Sequence, residues 1–177
     1  MDEDIILEEE AIADERAAGA ARLGAAILHQ PIRELATLRP AICVPQKTRV
    51  RAAIDRMNQG GVGCVLIEDR GRLIGIFTER DVLTKIVGTS IDIDRSTVDS
   101  LMTRDPETLK PDDRVCYALN KMSVGGFRHI PLVDDDGRSV GVVSMRNVVD
   151  YIVDLFGTDV LNLPPSPRHS AHAREGA

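Results

Sequence analysis

The chain has no run of Lys and Arg, no apolar run approaching the ~18 residues of a membrane-spanning helix, and no paired or clustered cysteines. Each absence removes a class of function. Without a basic block to neutralise many phosphates, nonspecific nucleic-acid binding is not expected. The three cysteines, Cys43, Cys64 and Cys116, are odd in number, far apart and set among apolar neighbours, without CxxC or Cys/His spacing. They read as buried thiols of a reducing compartment. The N-terminus is acidic where a signal peptide would be basic, so the cytoplasm is expected and a membrane is not. There is no Gly-rich P-loop with Lys, no metal-ligand cluster, and no set of nucleophile, base and orienting residue, so no enzyme is expected. Asp134-Asp135-Asp136 is a solvated turn on this reading, because three consecutive residues of an extended backbone cannot all face one cation.

The net charge of −6 is unevenly held. Residues 1–16 contain eight carboxylates and Arg16 and sum to −7, which leaves +1 on the remaining 161 residues. A nearly neutral body is compatible with a single anionic ligand. Residues 1–30 are mostly helix formers, acids early and Arg16 and Arg22 later, in keeping with the helix macrodipole. They form either a solvated leader helix or one that docks on the body or on a partner. Residues 161–177 pass through Pro164-Pro165-Ser166-Pro167, lose periodicity and are expected to be a disordered tail.

Between these ends the chain repeats itself. Gly75-Ile76-Phe77-Thr78-Glu79-Arg80-Asp81-Val82 returns as Gly141-Val142-Val143-Ser144-Met145-Arg146-Asn147-Val148. Upstream, Val50 to Met57 and Gly60-Gly61 return as Val115 to Met122 and Gly125-Gly126. A unit of about 60 residues is marginal alone, and the two copies are expected to pack together. The first is placed at 31–92 and the second at 93–160.

Each copy reads as βαββα, giving an α/β (α+β type) fold. A short extended segment, Ile42-Cys43-Val44 or Glu107-Thr108-Leu109, precedes a helix whose apolar positions are Val50, Ala53, Ile54 and Met57, or Val115, Ala118, Leu119 and Met122. Each helix stops at its Gly-Gly pair. Strands Cys64 to Ile67 and Leu73 to Phe77, or Ile130 to Val133 and Ser139 to Val143, form hairpins around Asp69-Arg70-Gly71 and Asp135-Asp136-Gly137. A last helix starts after Thr78 or Ser144. The flatly apolar strands predict a sheet covered on both faces.

The motif Gly75-Ile76-Phe77-Thr78-Glu79-Arg80-Asp81 lies where a strand ends and a helix begins, where orphan N–H groups favour an anion. Gly75 admits a ligand or a neighbouring backbone. Thr78 offers a hydroxyl to a phosphate, and Asp81 two acceptor oxygens to a ribose diol. The same Thr78-x-x-Asp81 is equally a capping box. Ser144-x-x-Asn147 preserves the cap, while an amide grips a diol less well.

Together with Ile130-Pro131-Leu132-Val133-Asp134 and Leu101-Met102-Thr103-x-x-Pro106, the two motifs resemble the tandem cystathionine-β-synthase-type (CBS) domain family over residues 31–156. The resemblance implies a pseudo-twofold pair with two clefts, adenosyl ligands and disc-like homodimers. It implies that Thr78 faces phosphate and Asp81 the ribose in one cleft, within the segment from Gly75 and Phe77 to Arg80, with adenine framed by Asp105, Pro106 and Glu107. In the other cleft Ser144, Arg146 and Asn147 take these roles, with Ala41 and Ile42 near the base. Arg128 and His129 stand where the family presents basic groups to phosphates, and the first copy has only Val62-Gly63 there. The ligand implied is AMP, ADP, ATP, NAD(H) or S-adenosylmethionine, held by a regulatory module that acts in trans on an effector protein. The alternative is a ligand-free dimerisation or interaction module whose motifs are caps only.

Overall fold

A computed structural model describes residues 24–155, apart from 26, 27, 36 and 37. Most of the leader and the whole tail lie outside the described residues. The first copy contains β1 (Cys43–Pro45), α1 (Val50–Gly60), β2 (Cys64–Asp69) and β3 (Arg72–Thr78). A helical turn follows, α2 (Glu79–Asp81), continued as a π-helix over Val82–Ile86. A short strand, β4 (Thr103–Arg104), opens the second copy, followed by α3 (Val115–Gly125), β5 (His129–Val133), β6 (Ser139–Ser144) and α4 (Met145–Leu155).

The stop signals act as read. Gly61 and Gly126 close α1 and α3 in the left-handed region, at φ 58° and 66°, which costs a residue without Cβ little. In the first hairpin Arg70 and Gly71 both have positive φ, 50° and 76°. That two-residue loop matches the twist of its strands.

Two elements differ from expectation. The extended segment before α3 reduces to one parallel bridge, Leu109 to Leu132, and Leu109 thereby takes the place of Cys43, which pairs with Leu66. The register is one residue away from the alignment of Leu109 with Val44. Lys110 gives its N–H to Asp113 Oδ2 (2.7 Å) and Pro111 has none to give, so the strand cannot run on. The last helix of the first copy carries Val82, Leu83 and Ile86 as expected, but winds there as a π-helix. Thr89 Oγ1 donates to the Ile86 carbonyl (2.8 Å) and Gly88 turns at φ 78°, which ends the helix one turn after Asp81. Val82 and Ile86 still reach the core, but Leu83 is 67% exposed.

The copies exchange their lead-in segments. Ile32 and Leu35, at the start of the first copy, lie in the core of the second with Val115, Ala118, Met122, Ile130 and Val143. Val98, Leu101 and Met102, at the start of the second, lie in the core of the first with Val50, Ala53, Val65 and Phe77. Backbone bonds mirror the exchange. Val115 N–H donates to Gln30 O (2.9 Å) and Ile32 N–H to Asp113 O (2.8 Å); Val50 N–H donates to Ser96 O (3.0 Å) and Val98 N–H to Thr48 O (2.9 Å).

Each hairpin gains an edge the same way. β4 runs antiparallel to β3, with Ile76 opposite Thr103, and Arg39 bridges Val142 of β6. The resulting four-stranded sheet has the order β1-β2-β3-β4, beside the β5-β6 hairpin. Cys64, Leu66 and Ile76 of the first sheet pack with Ala41, Cys43 and Leu73 of the same copy and with Val142 of the second. Of the cysteines only Cys64 is buried, and burial pushes its thiol up to about 12; Cys43 and Cys116 are half-buried, contrary to the reading of three buried thiols.

Gly75 faces Arg104 across β3 and β4. A Cβ there would stand 2.4 Å from Met102 Sδ and 3.0 Å from the Thr103 carbonyl oxygen. The close approach is thus by neighbouring chain, the second of the two readings of this glycine. Gly75→Ala is expected to cost about 1–3 kcal/mol through overpacking, read as a lower midpoint in urea unfolding with an unchanged slope.

Candidate functional site

Thr78 ends β3 and caps α2. Its backbone N–H and its hydroxyl both donate to Asp81 Oδ2 (2.8 and 2.7 Å), and Asp81 N–H donates to Thr78 Oγ1 (3.3 Å). The capping box is therefore fully formed. Asp81 is 6% exposed, and its other oxygen meets Lys85 Nζ at 2.7 Å. Lys85 Nζ also donates to the Leu101 carbonyl (2.6 Å), which ties the cap to the exchanged lead-in.

Ser144 and Asn147 repeat this geometry. Ser144 N–H and Oγ donate to Asn147 Oδ1 (2.7 and 2.6 Å), and Asn147 N–H donates to Ser144 Oγ (3.3 Å). The change from carboxylate to amide leaves the cap intact, because only the carbonyl oxygen is needed.

A cavity of about 340 Å³ opens beside the first cap, within the size range of small-molecule sites. Thr78, Arg80 and Asp81 line one side, and Asp105, Pro106 and Glu107 another. Arg128 and His129 close it from the second copy. Eight of the residues singled out from sequence thus meet at one place, drawn from both copies. Gly75 and Phe77 lie outside it, the first under Met102 and the second fully buried in the core.

Ser144, Arg146 and Asn147 stand at the equivalent end of β6. Arg146 is exposed and 3.8 Å from Asp150. Ala41 and Ile42 turn toward the first copy, Ala41 against the Cys64, Leu66 and Ile76 cluster and Ile42 against α1 at Gly60.

Gly63, Ile76, Glu79, Thr103 and Phe127 also line the cavity and were not singled out. Gly63 and His129 are equivalent residues of the repeat, and they face one another. A Cβ on Gly63 would lie 2.9 Å from the His129 ring and 3.4 Å from the Glu79 carboxyl carbon. The imidazole fits because the equivalent position has no side chain. Burial lowers the His129 pKa, the Glu79 charge opposes that shift, and Arg128 adds to it. The Val62-Gly63 sequence was the available signal for this asymmetry; that its two sides share a cavity follows only from the packing.

The basic groups differ in their ties. Arg80 Nη1 donates to the Gly126 carbonyl (2.6 Å), linking α2 to the end of α3. Arg128 is exposed, with no hydrogen bond or ion pair from its side chain among the described residues. Glu107 pairs with Lys121. Asp105 holds φ 45°, a conformation Asp tolerates better than most residues. Among the described residues no group of three or more His, Cys, Asp and Glu could hold a metal, and no helix is long and apolar enough to cross a membrane.

An exchanged pair of βαββα copies with a cavity between one copy's cap and the other's loops defines a tandem two-copy module. The sequence model of the CBS domain matches residues 32–88 and 98–154, and the chain belongs to the CBS domain family. It is similar to a 17.7 kDa protein of Acidianus ambivalens, 31% identical over 124 residues that cover 70% of this chain and 74% of that one. A CBS domain protein of Pyrobaculum aerophilum, solved in complex with AMP, superposes with a TM-score of 0.65 at 25% identity, over 74% of this chain and 99% of that one. A protein with CBS domains from Burkholderia ambifaria gives 0.62 at 27% identity, over 66% and 85%. Among its curated relatives the chain spans as little as 15% of the other protein's length.

Proposed function

We propose that the protein is a regulatory module that binds an adenosine-based ligand in the cavity beside Thr78 and acts on a separate effector protein. The observation that carries this reading is the convergence on one cavity of the Thr78 cap, the Asp105-Pro106-Glu107 segment, and Arg128 and His129. An occupant would touch both copies. A ligand shifts an arrangement only through its differential affinity for that arrangement, and a site built from two copies supplies the difference. In this reading the phosphate meets Thr78 and Arg128, the ribose lies toward Asp81, and the base toward Pro106. The AMP complex of the Pyrobaculum aerophilum relative supports the ligand class. The Ser144 cleft is the weaker of the two, because no equivalent of Arg128 or His129 faces it from the first copy. Homodimer formation belongs to the same proposal.

A second reading rests on the occupied Asp81 carboxylate. Both of its oxygens already have protein partners, as expected of a module whose motifs are caps and whose role is association. Calorimetric titration of the full chain with AMP, ADP, ATP, NAD(H) and S-adenosylmethionine separates the two readings. Saturable binding near one ligand per chain, weakened about tenfold or more in Arg128→Ala as expected for a lost charge-assisted contact, supports the sensor. Absence of heat across the panel from folded protein supports the association module.

A further inference from the structure

The charges around the cavity can be sorted by whether the protein already neutralises them. Asp81 is paired with Lys85 at 2.7 Å, and Glu107 is paired with Lys121. Glu79 and Asp105, both exposed at the lining, pair with no Lys or Arg among the described residues. Against these two carboxylates stand two guanidiniums. Arg128 has no side-chain partner among the described residues, and Arg80 donates one of its five N–H groups to Gly126 and has four left. His129 adds no fixed charge, since burial favours its neutral form. The cavity therefore has no net positive surplus, although it has two well-placed cations.

We infer that this cavity selects a nucleoside monophosphate over the corresponding di- and triphosphates, with Glu79 and Asp105 as the residues that reject the longer phosphate chains. The inference rests on the adenosine reading above. One phosphomonoester carries about −1.5 to −2 charges, a load that Arg80 and Arg128 can meet between them. Each further phosphate adds about one negative charge and lengthens the chain within a cavity of about 340 Å³. The added charge must either approach Glu79 and Asp105 or leave the cavity. At the effective dielectric constant of about 20 that suits a protein surface, a like charge a few ångströms away weakens binding by about tenfold or more. The exposure of Glu79 and Asp105 also makes them removable without loss of the core.

The test is titration of the full chain with AMP, ADP and ATP in buffer free of divalent cations, with the wild type and with Glu79→Gln, Asp105→Asn and the double variant. Asn keeps the left-handed backbone that Asp105 requires. In the wild type AMP should bind about tenfold or more tighter than ADP, with ATP weaker again. The double variant should narrow the gap by strengthening ATP more than AMP, and each single variant should give part of that change. Wild-type ATP binding as tight as AMP, or a gap unchanged in all three variants, overturns the inference while leaving the adenosine reading intact. Failure of all three nucleotides to bind overturns the inference, and the adenosine reading falls with it where NAD(H) and S-adenosylmethionine fail as well.

Discussion

Ile32→Ala is expected to lower stability by about 2–5 kcal/mol, the range for truncating a buried Ile, and to loosen the second copy first. Ile32 is fully buried, yet the copy it fills is not the one it begins. Its neighbours are Val115, Ala118, Met122, Ile130 and Val143, and its backbone N–H donates to Asp113 O. A chain in which each copy is completed by its own lead-in would lose protection from hydrogen exchange in α1, β2 and β3. The exchanged arrangement predicts instead that amides of α3, β5 and β6 lose it, with α1 following only on global unfolding. Val98→Ala should show the reverse order, since Val98 packs with Val50, Met57, Val65 and Phe77. Protection lost first in the sequence-adjacent copy in both variants would refute the exchange.

Asp81→Ala should cost about 2–3 kcal/mol and also lower ligand affinity. The stability term has two sources. Loss of a capping box costs about 0.5–2 kcal/mol, and Lys85, which bonds both Asp81 and the Leu101 carbonyl, loses its carboxylate partner in a site that is only partly solvated. Asp81→Asn separates the effects. The amide oxygen can cap as Asn147 does at Ser144, so the capping part of the stability should return, while the pairing with Lys85 and the two-acceptor grip on a ribose diol do not. Restored capping stability with weakened AMP binding in Asp81→Asn would support the ribose role. Unchanged AMP affinity in that variant would reduce Asp81 to a cap.

Much of the architecture can be followed from individual residues. The repeat, the helix stops at Gly61 and Gly126, the hairpin turn at Arg70-Gly71 and the Thr78 and Ser144 caps are governed by φ preferences and by side chains bonding within three or four residues. Such features depend on local sequence and are legible from it. The extended segment at Leu109 is shorter than its sequence suggests because a competing bond decides it, Asp113 taking the Lys110 N–H. At the site, Thr78 and Asp81 stand out by their motif and the 105–107 segment through the family resemblance, whereas the role of Gly63 opposite His129 follows only from the packing. Gly63 matters for what faces it, and a missing side chain has no chemistry of its own to notice.

By itself the sequence determined that there are two copies of one unit, most of their strands and helices, and where α1 and α3 end. Spacing of apolar residues and turn chemistry are properties of the chain. Only the tertiary structure decided that the lead-ins cross between copies, that Gly75 yields to Met102 rather than to a ligand, and that Arg128 and His129 stand over the Thr78 cap. Those outcomes depend on which apolar faces bury each other. A face left open by a copy of about 60 residues can be closed by either flanking segment, and packing density selects the one that fits.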